Sequence, residues 1–296
     1  MKFIPYKKIF LTALFLLPSL LLFSCRTTQF EQPHKHADNF SALWNDNQSD
    51  FWTKRDSYFY TCDFFLEDEK TICHAVKIDL TSPELLISLY PDSTAITEKN
   101  NVTKIKSVKA SSLAKKNDIV INTTQWSQKI PLISEKVPVG IIQNNGTDFS
   151  PADRKYDAIA FYKNINSYSV RIFSQKNISD FSENAEFISG GFWQILSDSD
   201  IVNFREFSAS RTSLGISKDQ KTLYILIAEG ERKSRSRGLS YKKCAEILSK
   251  MGSFNAIEFD GGSSTTLFIN KKNVLSYKKN PKLPSFLCFS KLTFDK

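Results

Sequence analysis

The sequence predicts an α+β fold, in which a mixed, mostly antiparallel β-sheet packs with a few helices in a single domain. Three observations favour this fold class. Short runs of β-branched and aromatic residues recur between turn residues from about residue 56 onward. Two stretches, 107–116 and 240–251, have helical patterns. No linker-like break interrupts residues 56–296, so one domain is expected over that range.

The predicted strands are short and are divided by turn residues. They cover Tyr58–Tyr60, Ala75–Leu80, Leu85–Leu89, Ile119–Ile121, Ala158–Tyr162, Tyr168–Phe173, Ser213–Ser217, Leu223–Ala228 and Asn255–Phe259. The clearest helix covers Ser240–Met251, with an apolar stripe that includes Ala245 and Leu248. Ser240 can cap this helix and Gly252 can end it.

Composition excludes several classes of protein. Of the 296 residues, 41% are hydrophobic and 13% are aromatic, which is enough to bury a core and excludes a disordered chain. Glycine and proline number ten each, which excludes a collagen-like chain. Lys and Arg outnumber Asp and Glu by 40 to 31, but the basic run at 232–237 has no interleaved aromatic residues. Nucleic acid is therefore not an expected partner.

The N-terminus predicts export and lipid attachment. A basic start precedes the apolar run Ile9–Phe23, which is shorter than the ~20 residues that a spanning helix needs. The ending Leu22-Phe23-Ser24-Cys25 resembles a bacterial lipobox, in which the cysteine is acylated and becomes the mature N-terminus. We therefore expect residues 1–24 to be a lipoprotein signal peptide. An ordinary signal peptide that is cut elsewhere is the alternative.

This N-terminus also sets the expected location. A chain with palmitate on Cys25 would be anchored by its lipid to a membrane of the bacterial cell envelope, facing the periplasm or the exterior. Residues 25–55 are polar and irregular, which predicts a tether between the membrane and the domain at 56–296.

Cysteine usage agrees with an exported protein. Cys62, Cys73, Cys244 and Cys288 remain after Cys25, so two disulfides can form outside the cytoplasm. Cys62 and Cys73 flank an acidic turn and could face each other across a hairpin, although three connectivities stay open. A zinc site is the weaker interpretation, because the sequence has no Cys-x-x-Cys pair.

The segment 256–267 has the strongest functional pattern. An apolar strand leads to Asp260, two glycines and a run of hydroxyl residues. Glycines allow a ligand to approach the backbone, and a carboxylate can serve as acid, base, nucleophile or metal ligand. The alternative is a Gly-Gly hairpin with a solvated aspartate.

Other motifs lie near strand ends. Gly190-Gly191 follows an apolar pair, Arg211 begins a strand, and Glu229 ends one. The planar guanidinium of an arginine suits a phosphate, although Arg211 alone could be a surface residue. The basic loop 232–237 could be a solvated turn or could be attracted to anionic lipid.

In their order, these motifs resemble the phosphodiester glycosidase family. The matching pieces are Asn122, Ser189-Gly190-Gly191, Arg211-Thr212, Glu229-Gly230, Ser236-Arg237-Gly238 before a helix, and Asp260-Gly261-Gly262-Ser263-Ser264-Thr265. They span about residues 75 to 270. Four departures stand out: Thr123-Thr124 and Ser263 where the family has glycines, Glu229 where it has Asp, and Glu258 where it has Asn.

The resemblance implies an exported hydrolase that cleaves the bond between sugar C1 and a phosphate in a phosphorylated glycan. It implies that Asp260 and Glu229 are the catalytic carboxylates and that Arg211 clamps the phosphate. The substrate-binding residues would also include Asn122, Ser236, Gly238, Gly190, Gly191, Gly261, Gly262, Ser263, Ser264 and Thr265. No cofactor is expected, and a structural divalent cation on Asp260 is an open alternative.

The departures from the family pattern favour a rival function. A non-catalytic surface lipoprotein could bind a phosphorylated glycan without cleaving it. In a third interpretation the protein is structural, and the glycine-rich turn is only scaffold. Convergence of Arg211, Glu229 and Asp260 on one cleft would favour the enzyme.

Overall fold

β-Strands dominate the computed structural model, which describes residues 35–44, 50–99, 102–130 and 135–292. The first strands are β1 (Lys35–Ala37), β2 (Thr53–Lys54), β3 (Phe59–Leu66), β4 (Thr71–Asp79), β5 (Leu85–Tyr90), β6 (Ile96–Lys99), β7 (Val102–Ile105), β8 (Val108–Lys109), β9 (Ile119–Asn122), β10 (Trp126–Ser127), β11 (Val137–Pro138), β12 (Ile142–Asn144) and β13 (Thr147–Ser150). The later strands are β14 (Asp157–Lys163), β15 (Tyr168–Ser174), β16 (Phe187–Gly190), β17 (Gln194–Ser197), β18 (Asp200–Ile201), β19 (Arg211–Ser217), β20 (Thr222–Ala228), β21 (Ser253–Glu258), β22 (Leu267–Ile269), β23 (Lys272–Asn273), β24 (Lys282–Leu283) and β25 (Phe286–Lys291).

The helices in the described residues are few and mostly short. They are α1 (Phe40–Leu43), α2 (Ala110–Leu113), α3 (Ile178–Ser182) and α4 (Tyr241–Met251). Single 3₁₀ turns cover Ser93–Ala95, Gln175–Asn177 and Gly262–Ser264. The chain is therefore mostly β, and the helical part of the predicted α+β fold is small.

Three sheets account for most strands. The large sheet has the order β1-β3-β4-β20-β19-β21-β17-β18, with β2 beside β3. Two five-stranded sheets have the orders β13-β12-β16-β14-β15 and β23-β22-β9-β25-β5. The β1–β3 pair is parallel and the neighbouring β3–β4 pair is antiparallel, so the large sheet is mixed.

The large sheet separates two hydrophobic cores. Leu226 and Ala228 of β20 pack on the side of α4, whereas Ile225 and Ile227 pack on the side of the five-stranded sheets. This division arises because successive side chains of a strand point to opposite faces. Each charged side chain on these strands therefore lies either on the α4 side of the large sheet or on the side of the five-stranded sheets.

Helix α4 has the predicted ends. The Ser240 hydroxyl accepts a hydrogen bond from the Lys243 N–H at 3.1 Å, and Gly252 ends the helix with a φ of +111°. The predicted helix at 107–116 is shorter, because Val108–Lys109 pairs with β24 as a strand and leaves only α2 helical.

The structure corrects part of the predicted tether at 25–55. Strand β1 pairs with β3, and the side chains of Phe40 and Phe51 are buried against Phe64. Apolar burial of these rings outweighs the polar composition of their neighbours. Residues Gln32–Lys296 fall in one compact unit.

The predicted signal peptide and Cys25 lie outside the described residues. Within the described part of the chain, no helix is long and apolar enough to span a bilayer.

The four cysteines of the domain are free thiols, which corrects the expectation of disulfides. Cys62 is paired across the hairpin with Ala75, and Cys73 with Phe64, so the two cysteines are out of register. Burial raises the pKa of Cys62 and of Cys288 to about 12, so neither forms a thiolate at neutral pH.

We expect the four thiols to be unreactive in the native protein. A thiol-specific chromogenic reagent at pH 8 should label none of them until denaturant is added, because the thiols are buried and protonated. A reductant should leave the melting temperature unchanged. A melting temperature that falls on reduction would contradict the structure.

Candidate active site

Three central strands of the large sheet reach the same edge, where loops converge. Arg211, which begins β19, pairs with Ala228, which ends β20, and Ser213 pairs with Glu258, which ends β21. The segments 202–210, 229–240 and 259–266 therefore lie together at this edge, which we call the site edge.

The glycine-rich loop lies directly against the start of β19. A Cβ on Gly261 would come within 2.5 Å of the Ser210 carbonyl oxygen. Gly262 has a φ of +57°, and its N–H donates to the same carbonyl at 2.9 Å. These two glycines allow the close approach and the 3₁₀ turn that follows.

The buried amide of Asn122 holds this loop in place. Its Nδ2 donates to the Asp260 carbonyl oxygen at 2.6 Å. Its Oδ1 accepts from the Thr212 hydroxyl and from the Thr266 N–H, both at 2.9 Å. Asn122 therefore binds the protein itself, which makes it a positioning residue and not the predicted contact to a sugar hydroxyl.

Asp260 lies where β21 leads into the loop. Burial raises the pKa of its carboxyl to about 6, and the Ser264 hydroxyl, the Lys136 charge and the Gly261 N–H oppose the rise. A buried carboxylate with a pKa near neutrality can exchange a proton or attack an electrophile.

Lys136 is the cation that acts on Asp260. Its ammonium lies 3.9 Å from the centre of the Trp126 ring and donates to the Lys282 carbonyl oxygen at 2.8 Å. Trp126 in turn donates from Nε1 to the Ser264 hydroxyl at 3.0 Å. Burial lowers the pKa of Lys136, and the charge of Asp260 opposes this. Lys136 therefore lies close enough to the glycine-rich loop for its charge to act on the carboxyl of Asp260, and both side chains are half-buried.

Glu229 is bound to other protein groups and not directed toward Asp260. Its Oε1 accepts from His74 Nε2 at 2.9 Å and from the Ser276 N–H at 2.7 Å. Its Oε2 accepts from the Ser276 hydroxyl. His74 Nδ1 also contacts an Asp63 oxygen at 2.8 Å. This saturated network makes Glu229 structural, in contrast to the predicted catalytic role.

Arg211 lies on the opposite face of the large sheet from Glu229. Its Nε donates to the Leu239 carbonyl oxygen at 2.8 Å and its Nη2 to the Phe207 carbonyl oxygen at 2.7 Å. The guanidinium also stacks 4.2 Å from the centre of the Tyr241 ring. The predicted convergence of Arg211 and Glu229 is therefore wrong: they share an edge but not a cleft.

Ser236 and Gly238, two other predicted binding residues, contact the backbone of neighbouring segments at the site edge. The Ser236 hydroxyl donates to the Glu229 carbonyl oxygen and accepts from the Ile72 N–H. A Cβ on Gly238 would overlap the Ala209 carbonyl.

The remaining predicted residues lie in the glycine-rich loop or pack closely against neighbouring backbone. A Cβ on Gly191 would come within 2.8 Å of the Glu258 carbonyl oxygen, and one on Gly190 within 3.1 Å of the Ile141 carbonyl oxygen. In the loop, Ser263 is exposed, whereas the Thr265 hydroxyl is buried with no hydrogen-bond partner among the described residues.

Glu258 is a second buried carboxyl, on the α4 side of the large sheet. The Ser213 hydroxyl donates to its Oε2, and its Oε1 has no hydrogen-bond partner in the described part of the chain. Burial raises its pKa to about 7, and the Arg211 charge opposes the rise. The charge of Asp260 also raises this pKa, so the two carboxyls are neighbours, although their hydrogen-bond partners differ.

Sequence reasoning missed Lys136, Trp126 and His74. Trp126 follows the Asn122 segment of the family resemblance, whereas Lys136 belongs to none of the matching motifs. No sequence signal identified His74. In the described residues, no group of three or more His, Cys, Asp or Glu could hold a metal ion.

Comparisons with known proteins identify the family and the fold. The model of the phosphodiester glycosidase family matches residues 110–289. The catalytic domain of zebrafish N-acetylglucosamine-1-phosphodiester alpha-N-acetylglucosaminidase, auto-inhibited by its pro-peptide, matches with a TM-score of 0.60 at 14% identity, over 80% of this chain and 85% of that chain. A hypothetical Synechocystis protein matches with a TM-score of 0.55 at 11% identity, over 80% of this chain and 63% of that chain.

A Burkholderia pseudomallei protein has the same fold, with a TM-score of 0.53 at 10% identity and 74% of each chain covered. No curated protein matches. At these identities the structures are evidence for a shared fold, and the family match carries the classification.

The buried imidazolium predicts a pH-dependent stability. Burial alone would lower the pKa of His74, but Asp63 and Glu229 raise it from 6.5 to about 9. Its stabilisation is therefore complete below pH 6.5 and is lost as the pH rises through 9. His74→Leu should lower the free energy of unfolding by about 3–5 kcal/mol at pH 6.5, because it leaves a buried carboxylate unpaired.

Urea unfolding of both proteins at pH 6.5 and pH 10 measures this difference. The gap between wild type and variant should shrink at pH 10. A gap of the same size at both pH values would show that His74 is neutral in the folded protein.

Proposed function

This chain belongs to the phosphodiester glycosidase family, and we propose that it hydrolyses the bond between sugar C1 and a phosphate oxygen in a phosphorylated glycan. The observation that carries the proposal is the carboxyl of Asp260 at the glycine-rich loop, with the ammonium of Lys136 held nearby over the Trp126 ring, which itself binds Ser264 of that loop. The carboxylate of Asp260 can act at the anomeric carbon, and the ammonium of Lys136 can bind the phosphoryl oxygens. Both belong to the segment that the family model covers.

We assign the reacting role to the carboxylate of Asp260. With a pKa of about 6 it is mostly ionised at neutral pH, so it can take a proton from a water molecule whose oxygen attacks the anomeric carbon while the bond from that carbon to the phosphate oxygen breaks. The leaving phosphate is a weak base, so departure needs little protonation. A single carboxylate therefore accounts for the chemistry without Glu229, which His74 and Ser276 already bind.

We assign the phosphate to Lys136. Its ammonium donates to the Lys282 carbonyl oxygen and lies over the Trp126 ring, which leaves further N–H groups for an anion. Arg211 is the less suitable clamp, because two of its nitrogens already bind backbone carbonyls. The cation also stabilises the negative charge that grows on the leaving oxygen.

A non-catalytic glycan-binding protein is the second candidate. The observation that favours it is the saturated carboxylate of Glu229, which leaves one reactive acid where the resemblance implied two. This candidate shares the Lys136 anion site but has no bond cleavage.

We also propose that the chain acts in the bacterial cell envelope as a lipoprotein acylated at Cys25. This location rests on the basic start, the apolar run and the lipobox-like ending at residues 1–25.

Asp260→Asn should abolish sugar release from a sugar-1-phosphodiester. We expect the rate to fall by at least about a thousandfold, with little change in melting temperature, because the variant keeps the shape but loses the reactive carboxylate. In the wild type, kcat/KM should rise with pH through about 6, where Asp260 ionises.

Glu258→Gln is the matched control, because it removes a neighbouring buried carboxyl on the α4 side. It should retain turnover and the rise near pH 6. Full turnover by Asp260→Asn would refute the assignment. Glycan binding by the wild type without sugar release would favour the non-catalytic candidate.

Lys136→Met should weaken substrate binding. The loss of a charged hydrogen bond of about 1.5–3 kcal/mol predicts that KM for a phosphodiester rises roughly tenfold or more. The rise of kcat/KM with pH should move to higher pH, because the Lys136 charge lowers the pKa of Asp260. Steady-state kinetics across pH 5–8 measure both effects.

Lys282→Met is the control, since it removes an equal charge from an exposed side chain and keeps the carbonyl that binds Lys136. It should leave KM and the pH profile unchanged. An equal effect of the two variants would mean that only the general positive field matters.

A further inference from the structure

An exposed apolar segment crosses the site edge. Residues 202–208 connect β18 to β19 and have no regular secondary structure. Within them Val202, Phe204 and Phe207 have 49%, 64% and 58% of their surface exposed. The side chains of phenylalanine and valine have no polar group that could form a hydrogen bond with water. Three such side chains on one short segment therefore form a surface that suits a partner.

Contacts beneath the segment hold it in place. Arg211 donates from Nη2 to the Phe207 carbonyl oxygen at 2.7 Å. The Arg205 guanidinium lies 3.6 Å from the centre of the Trp193 ring. Glu206 forms an ion pair with Lys242 at 3.7 Å. The apolar side chains are thus presented outward on a fixed backbone.

A basic loop adjoins this segment at the same edge. Ala209 and Leu239 exchange two backbone hydrogen bonds, of 3.2 and 3.0 Å, which join the end of one segment to the end of the other. Between Glu231 and Gly238 the exposed residues include Arg232, Lys233, Arg235 and Arg237, with no acidic residue among them.

Several acidic residues nearby contact a lysine. Glu231 binds Lys279 at 2.5 Å, and Glu206 contacts Lys242 at 3.7 Å. Lys243 alone contacts three carboxylates, Asp68 at 3.6 Å, Glu69 at 3.3 Å and Glu246 at 3.6 Å, so its single charge balances only one of them. The four cations of the loop 232–237 outnumber the three carboxylates that remain, including Glu67 beside the imidazole of His36, so the loop gives the site edge a positive surface.

We propose that segments 202–208 and 232–237 form a docking face for an anionic lipid surface. Apolar side chains would enter the interface between headgroups and acyl chains, while Arg232, Lys233 and Arg237 contact lipid phosphates. Charge complementarity and exposed rings without polar groups favour lipid over a soluble anionic glycan. The proposal is independent of the catalytic assignment, but it places the Asp260 loop next to the headgroups.

The opposite end of the large sheet supplies internal controls. Lys70, whose carbonyl accepts from the Arg237 N–H, precedes β4, and Leu80, whose carbonyl accepts from the Tyr168 N–H, follows it. The nine residues of β4 separate these ends by about 30 Å at roughly 3.3 Å each. Ile165, in the turn before Tyr168, is 97% exposed and is an equally apolar side chain far from the docking face.

The test measures vesicle binding by the compact unit Gln32–Lys296, which lacks the predicted lipid anchor, after its cooperative unfolding has been verified. We expect it to sediment with phosphatidylcholine vesicles that contain 30% phosphatidylglycerol and not with phosphatidylcholine alone. Val202→Ser/Phe204→Ser and Arg232→Gln/Lys233→Gln should each weaken binding at least tenfold. Ile165→Ser and Lys115→Gln/Lys116→Gln should not. Lys115 and Lys116 are exposed in the turn after α2, near Asp118, which accepts from the Tyr58 hydroxyl, and the Tyr58 carbonyl accepts from the Asp79 N–H at the end of β4 that is remote from the docking face.

Three results would overturn the proposal. The first is equal binding to both vesicle types, and the second is an equal loss of binding in the control variants. The third is full competition with the vesicles by a soluble anionic polysaccharide whose binding does not depend on Val202 or Phe204. Sugar release from a water-soluble phosphodiester is measured separately. If the unsubstituted unit releases sugar but binds neither kind of vesicle, only the docking face is rejected.

Discussion

The geometry of the site depends on one buried amide. Asn122 donates to the backbone at Asp260 and accepts from Thr212 and from the backbone at Thr266. It therefore fixes both ends of the glycine-rich loop to the start of β19. Glycines at 261 and 262 permit the close approach, but they add no side chain that could hold the loop. Because a buried amide is costly without partners, this arrangement is stable only when all three contacts form together.

The pleat of the large sheet explains why Arg211 and Glu229 have structural roles. Arg211 and Glu229 belong to adjacent paired strands, but one lies on the side of α4 and the other faces the opposite core. Each buried charge then needs partners on its own side. Arg211 finds carbonyls and the Tyr241 ring, and Glu229 finds His74 and Ser276. These contacts fix the loops that surround Asp260.

Local patterns made the regular elements predictable. The continuous apolar run of β20 and the serine and glycine at the ends of α4 were sufficient to place both elements, since each signal depends on neighbours in sequence. The tether was wrong because a few aromatic residues, Phe40 and Phe51 among them, decide burial within a polar stretch. Lys136 could not be found, because it lies beside the two-residue strand β11 and reaches Asp260 only through tertiary packing.

The charge pair at Asp260 also constrains what the site can bind. A phosphoryl group next to this carboxylate would raise its pKa further and oppose the ionised form that the reaction needs. The positive charge of Lys136 offsets this rise in the pKa of Asp260 while the phosphoryl group is bound. The pKa of Lys136, lowered by burial and held up by Asp260, is coupled to the same event. An anionic substrate therefore completes a site in which one half-buried acid and one half-buried base balance each other. A neutral glycoside would gain nothing from the lysine, which makes the pair itself a source of selectivity for phosphorylated sugars.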